Sequence, residues 1–201
     1  MGSSTASRPA PVLVVTGTSG AGKGTLEKAL LAELPELALA VSATTRERRS
    51  GEEDGREYWF ISGEEFDERL AGGEFLEHVV FPWGQRSGTL RSEIARIKEA
   101  GRIPLLDLEP HGALVVKRTV PGAVTIFVEA PSFEENERRL RERATESEGE
   151  IDERLDLARE QLSHASAFDY LIVNDDLERA LAELLGIVHK ERAAAGTMSK
   201  P

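Results

Sequence analysis

Residues 14–30, VVTGTSGAGKGTLEKAL, restrict the fold more than any other stretch of the chain. A β-branched apolar run stops at Gly17, small residues follow, and Gly22-Lys23 opens a segment rich in helix formers. Strand, glycine-rich turn and helix in that order are how a phosphate-binding loop is built. Glycine permits the curvature that turns backbone N–H groups inward, and the helix start adds partial positive charge. The expected triphosphate cradle is Gly17, Thr18, Ser19, Gly20, Ala21, Gly22, Lys23, Gly24 and Thr25. Lys23 would reach the β- and γ-phosphates as a point charge. The pattern G-x-x-x-x-G-K-[ST] fails only at its end, where Gly24 replaces the hydroxyl that meets Mg²⁺. The ion is still expected as cofactor, keeping more of its waters and riding on the nucleotide, because it dehydrates reluctantly. Thr25 leaves a hydroxyl for the α-phosphate.

Beyond this loop, short apolar runs alternate with amphipathic segments, which predicts an α/β fold around a five-stranded parallel sheet. The expected strands are 12–16, 37–41, 103–108, 124–128 and 170–173. Pattern predicts helices from the glycine loop to about Leu34, over 151–162 with Ile151, Leu155, Ala158 and Leu162 on one stripe, and over 176–192. Residues 43–88 break the rhythm. They are polar and glycine-rich, hold one short helix after a capping box of Ser62 and Glu65, and predict an inserted mixed α/β lobe. Residues 132–150 open on a second box, Ser132 and Glu135, then become dominated by charge, as suits a helical lid. The single folded domain is expected over 11–193, with disordered ends at 1–10 and 194–201.

Charge narrows the partners. The 201 residues hold 25 Lys plus Arg against 36 Asp plus Glu, a net charge of −11, which disfavours nucleic acid and anionic membranes. An anionic small substrate then needs a local arginine cluster. The chain has no cysteine, so neither a disulfide framework nor a thiol nucleophile is available. The four histidines have no metal spacing. No apolar run is long enough for a signal peptide or a membrane span, and a soluble cytoplasmic protein is the default expectation.

The arginines stand in SATTRERRSGEEDGREYWFIS, residues 42–62, which begins where a strand ends. Arg46 and Arg49 can clamp a phosphate dianion with planar forks, and the Tyr58 phenol can add a donor. The run resembles the nucleoside-monophosphate site of guanylate kinases, S-x-T-T-R-x-x-R-x-G-E-x-D-G-x-x-Y. Ser42, Thr44, Thr45, Arg46, Arg49, Gly51, Glu52, Asp54, Gly55 and Tyr58 meet every fixed position. The resemblance spans nearly the whole chain outside its ends and implies a P-loop kinase fold that passes the γ-phosphoryl of ATP to GMP or dGMP. It places Glu77 as the carboxylate that accepts from guanine N1–H and the 2-amino group, with Ser42 and Thr89 as hydroxyl partners. Glu109 stands where the family commonly has aspartate, a longer reach for similar chemistry in binding GMP, and Asp107 is implied on the same GMP side. Asp107 is placed to orient hydrated Mg²⁺, to hold the lobe's arginines, or simply to cap the following turn.

Departures are local. FPWGQRSGTL, residues 81–90, lacks the family's tyrosine pair and puts Ser87 at the second tyrosine's position. Arg86 is the expected replacement for that phosphate contact, and Trp83 either lines the pocket or packs the lobe. For the transfer step the resemblance implies three arginines around the moving group: Arg139, Arg143 and Arg154. Arg139 and Arg143 share a helix face, where like charges oppose each other by roughly 0.2–0.5 kcal/mol unless an anion bridges them. Pairing of Arg139 with Glu135 is the plain alternative. Asn174 matches the family's adenine-side contact and equally suits a helix N-cap. Two other functions stay open: a non-catalytic binding module of this fold, and a kinase for another phosphorylated acceptor.

Overall fold

The computed structural model describes residues 11–81, 84–142 and 148–196. In chain order the first elements are β1 (Val12–Gly17), α1 (Lys23–Glu33), β2 (Leu37–Leu39), β3 (Ala43–Thr44), β4 (Trp59–Phe60) and α2 (Gly63–Ala71). Then come β5 (Phe75–Val80), β6 (Arg86–Leu90), α3 (Arg91–Glu99), β7 (Ile103–Asp107) and α4 (Pro110–Thr119). The chain continues through β8 (Ala123–Glu129), α5 (Phe133–Glu142), α6 (Glu148–Ser163), β9 (Tyr170–Val173) and α7 (Leu177–Gly196). A parallel sheet has the order β2-β7-β1-β8-β9, and a mixed sheet the order β4-β3-β6-β5. Two compact units result, one running to Pro35 and resuming at Leu106, the other Glu36–Leu105.

The first unit is organised by β1, whose Val12, Leu13, Val14 and Val15 are all fully buried. Parallel pairing with β8 runs in register from Val12–Ala123 to Gly17–Val128. A strand covered on both faces reads as a continuous apolar run, which is why it was visible in sequence. Leu26 and Leu30 of α1 and Leu184 and Val188 of α7 add buried side chains. Each such burial contributes about 1.5–3 kcal/mol.

In the second unit α2 starts where Ser62 Oγ accepts from Glu65 N–H at 3.0 Å, as the capping box predicts. Its Phe66 is fully buried and stacks on Phe75 with centroids 4.4 Å apart. Ala43 and Leu90 complete that cluster, with Trp59 and Ile61 packed against it. These residues mark the apolar face of the mixed sheet. The opposite face carries the alternate residues, and one irregularity decides which. Phe75 pairs with Leu90 but Glu77 with Thr89, so Leu76 is an extra residue in β5. The bulge moves Glu77 off the Phe75 face and onto that of Thr89.

Several boundaries differ from expectation. β2 stops at Leu39 because the next polar groups find other partners: Ala40 N–H still reaches Leu105 O, but Val41 N–H turns to the Glu93 carboxylate at 3.0 Å. α7 runs to Gly196, past Arg192 and into the expected tail, since three successive alanines favour helix. α6 starts at Glu148, inside the segment read as a lid. α3 and α4 had no counterpart in the pattern. Residues 1–10 and 197–201, expected as disordered ends, lie outside the described residues.

Phe66 is the keystone of the second unit's apolar face. Phe66→Ala should lower unfolding free energy by about 3–5 kcal/mol, measurable as a reduced urea midpoint with an unchanged slope.

Candidate active site

The glycine loop leaves the parallel sheet at Gly17, where a side chain would run into the Val128 carbonyl. Thr18 N–H donates to that same carbonyl at 3.3 Å, which fixes the loop's entrance. At its exit Gly22 has φ +82°, left-handed backbone that suits glycine, and forms the N-cap of α1. Between them the loop is braced by side chains from three directions. Thr18 Oγ1 donates to Asn136 Oδ1 of α5 at 3.4 Å, Ser19 N–H to Gln161 Oε1 of α6 at 3.3 Å, and Asn174 Nδ2 to Ala21 O at 2.7 Å. Asn174 is therefore turned to the loop. The cap of α7 is Asp176, whose Oδ1 accepts from Arg179 N–H at 2.9 Å, and this corrects the N-cap alternative for Asn174.

Lys23 is the first residue of α1, and its ammonium pairs with Asp107 at the end of β7. That ion pair, rather than a capping bond, is the role seen for Asp107. Burial pushes the Lys23 pKa down, while Glu27 and Glu109 pull it back up. Gly24 and Thr25 are exposed, and nothing lies within 4 Å of a side chain placed at Gly24. Glu109 precedes α4, where its Oε2 accepts from Gln161 Nε2 at 2.8 Å.

The second unit carries the arginine run. Arg46 NH2 donates to Glu52 at 2.7 Å and NH1 to the Glu47 carbonyl at 2.8 Å. Its guanidinium lies 5.3 Å from the Tyr58 ring centroid and 5.6 Å from that of Phe60. Glu52 also accepts from Arg49 N–H at 2.8 Å, so one carboxylate organises both arginines. The Arg46 hydrogen bond leads the causes that hold the Glu52 carboxyl below its usual range. Glu77 is 7% exposed, and its Oε1 accepts from Thr89 N–H at 2.9 Å. Register puts Thr44 opposite Ser87 and Phe60, so the strand alternation gathers Thr44, Phe60, Ser87, Thr89 and Glu77 on one face. Ser42 is half-buried at the start of the run.

Arg86 is not brought to this face. It falls one residue out of phase with Ser87 and stacks on Phe66, its guanidinium 5.0 Å from that ring centroid. There it bonds Asp67 and, at 3.0 Å, the Gly63 carbonyl. The expectation that Arg86 replaces the missing tyrosine is corrected by strand parity. Trp83 and Arg143 lie outside the described residues. Arg139 bonds Glu135 at 2.7 Å and reaches the Ala21 carbonyl at 3.5 Å, so the plain pairing and a position beside the loop both hold. Arg154 is half-buried on α6.

Three polar residues of the loop's surroundings escaped sequence reasoning: Asn136, Gln161 and Glu27. Each breaks an apolar helix stripe, which was the available signal. Glu27 is 4% exposed between Leu26 and Leu30, and its Oε1 has no hydrogen-bond partner among the described residues. Burial raises its pKa from 4.5 to about 7, against the pull of Lys23. The folded state thus binds a proton that the unfolded chain releases, so stability falls as pH rises through that window. Thermal unfolding at several pH values should show wild type losing ground to Glu27→Gln between pH 4.5 and about 7. A constant offset between the two would contradict it.

The comparisons agree with one another. The family model for guanylate kinase matches residues 9–191. A guanylate kinase of Symbiobacterium thermophilum is 46% identical over 182 residues, covering 90% of this chain and 86% of that protein. One from Parasynechococcus marenigrum is 47% identical over 175 residues, covering 87% and 96%. Among solved structures, guanylate kinase from Anaplasma phagocytophilum superposes with a TM-score of 0.71 at 31% identity, covering 91% of this chain and 86% of that one. Over nearly its whole length, then, this chain belongs to the guanylate kinase family.

Proposed function

We propose that the protein transfers the γ-phosphoryl of ATP to the 5′-phosphate of GMP or dGMP, yielding ADP and the nucleoside diphosphate. The observation that carries the acceptor reading is the buried Glu77 carboxylate, turned by the β5 bulge onto the Thr89 face and steadied by Thr89 N–H. Guanine offers N1–H and a 2-amino group side by side to such a carboxylate. Adenine has no equivalent pair, so a carboxylate buried against it would lose its water without a partner.

On the donor side, the loop from Gly17 to Thr25 cradles the phosphates, and Lys23 exchanges Asp107 for a β/γ oxygen. Asn174, braced on Ala21, stands on the adenine side. Arg46 and Arg49 take the acceptor's phosphate, Tyr58 adds its hydroxyl, and Ser42 and Thr89 flank the base. Arg139, Arg143 and Arg154 neutralise charge on the moving group, with residues 132–150 acting as a lid. The acceptor oxygen is already anionic, so no general base is required, and catalysis is positioning plus charge stabilisation.

A divalent metal fits this donor set. Gly24 offers no hydroxyl and leaves open space, while Asp107 and Glu109 supply carboxylate oxygens close to Lys23. They suit a Mg²⁺ held largely through water and the nucleotide. When bound, it would neutralise charge on the β- and γ-phosphates. No helix among the described residues is long and apolar enough to cross a membrane. Purine nucleotide supply in the cytoplasm is the setting that suits this reaction.

A coupled ADP-release assay across GMP, dGMP, AMP, UMP and dTMP tests the acceptor. GMP and dGMP should dominate, and preference for AMP or dTMP would overturn the guanine reading. Lys23→Ala should lower kcat roughly 10²–10³-fold. Glu77→Gln should cost roughly 10–100-fold in kcat/KM for GMP while leaving KM for ATP near wild type. Equal losses for every acceptor would contradict that role.

A further inference from the structure

Helix α6 meets the glycine loop through Gln161, a side chain to which the reaction as described gives no part. It is 5% exposed and makes two bonds, accepting from Ser19 N–H and donating to Glu109. Those partners fix the amide's orientation. A carboxylate only accepts and a backbone N–H only donates, so Nε2 must face Glu109 and Oε1 must face Ser19. The helix itself gives no reason for an amide there, because Leu155 and Ala158 are buried earlier on the same stripe. An apolar residue would continue that stripe, but it would leave a loop N–H without its acceptor.

Arg154 stands seven residues before Gln161, two turns away on the same side of the helix. The bond to Ser19 therefore fastens to the loop the helix that carries an arginine assigned to the transferring phosphoryl. We propose that Gln161 is a positioning residue for phosphoryl transfer, acting through Ser19 N–H to hold the glycine loop at a fixed distance from α6 and Arg154. Glu109 orients the amide, and Gln161 itself touches no substrate. The proposal rests on the kinase reading for its effect on rate, but the tether exists without turnover and can be observed on its own.

Two variants separate the possibilities. Gln161→Met keeps length and volume and removes both bonds. Gln161→Glu keeps an acceptor for Ser19 N–H and gives up only the bond to Glu109, whose exposed side chain can swing away. In nucleotide-free protein, NMR should show the Ser19 amide exchanging slowly in wild type and Gln161→Glu, and at least about tenfold faster in Gln161→Met. Gln161→Met should also lose roughly tenfold in kcat with KM for both substrates within about threefold of wild type, and Gln161→Glu should recover most of that loss. Unchanged Ser19 exchange in Gln161→Met overturns the proposal. So does a kcat for Gln161→Met near wild type, or a Gln161→Glu variant as slow as Gln161→Met. Wild-type turnover of GMP, measured alongside, reports separately on the reaction.

Discussion

The close approach of Gly17 to the Val128 carbonyl is the constraint on which the rest depends. β1 is buried along its length and locked in register to β8, so its last residue can turn only where the neighbouring backbone lets it. A Cβ there would push the strand end away from β8. Everything that follows is dead-reckoned from that point: the entrance of the loop, the left-handed exit at Gly22, and the first turn of α1 carrying Lys23. The sheet determines where an ammonium stands by restricting one atom.

Around that fixed point the protein builds a polar shell that carries little net charge of its own. Amides from Asn136, Gln161 and Asn174 brace the loop without competing electrostatically with a polyanion. Three cations are matched by carboxylates: Lys23 to Asp107 and Arg139 to Glu135 in the first unit, and Arg46 to Glu52 in the second. A chain with a net charge of −11 can thus present positive groups to phosphates while keeping them compensated until a ligand arrives. Glu27 stands apart, a carboxylate buried one turn from Lys23 with one oxygen unpartnered among the described residues.

Legibility in the sequence followed burial. Strands covered on both faces announce themselves as apolar runs, and the glycine loop and arginine run are local patterns that need no tertiary information. α3 and α4 hid because their starts lack ordinary signals: Leu90 precedes α3 without a side-chain cap, and α4 opens on Pro110 with Gly112 in its first turn. The side on which Arg86 falls was unreadable for a different reason. Strand parity is set by pairing with β5 and with β3, and β3 lies far away in sequence. Gln161 and Glu27 were visible only as misfits on otherwise apolar stripes, and nothing local says what a misfit touches.

The extra residue at Leu76 has an evolutionary corollary. Because side chains alternate, β5 works like a reading frame: a one-residue slip in its pairing exchanges the contents of its two faces. Were Leu76 drawn into regular pairing with Thr89, Glu77 would shift to the Phe66 side and the face of Thr44 and Ser87 would lose its carboxylate. Substitutions can tune this strand gradually, but a slip in its pairing cannot. The buried carboxylate of Glu77 and the packing around Phe66 are therefore inherited together, through the parity of one short strand.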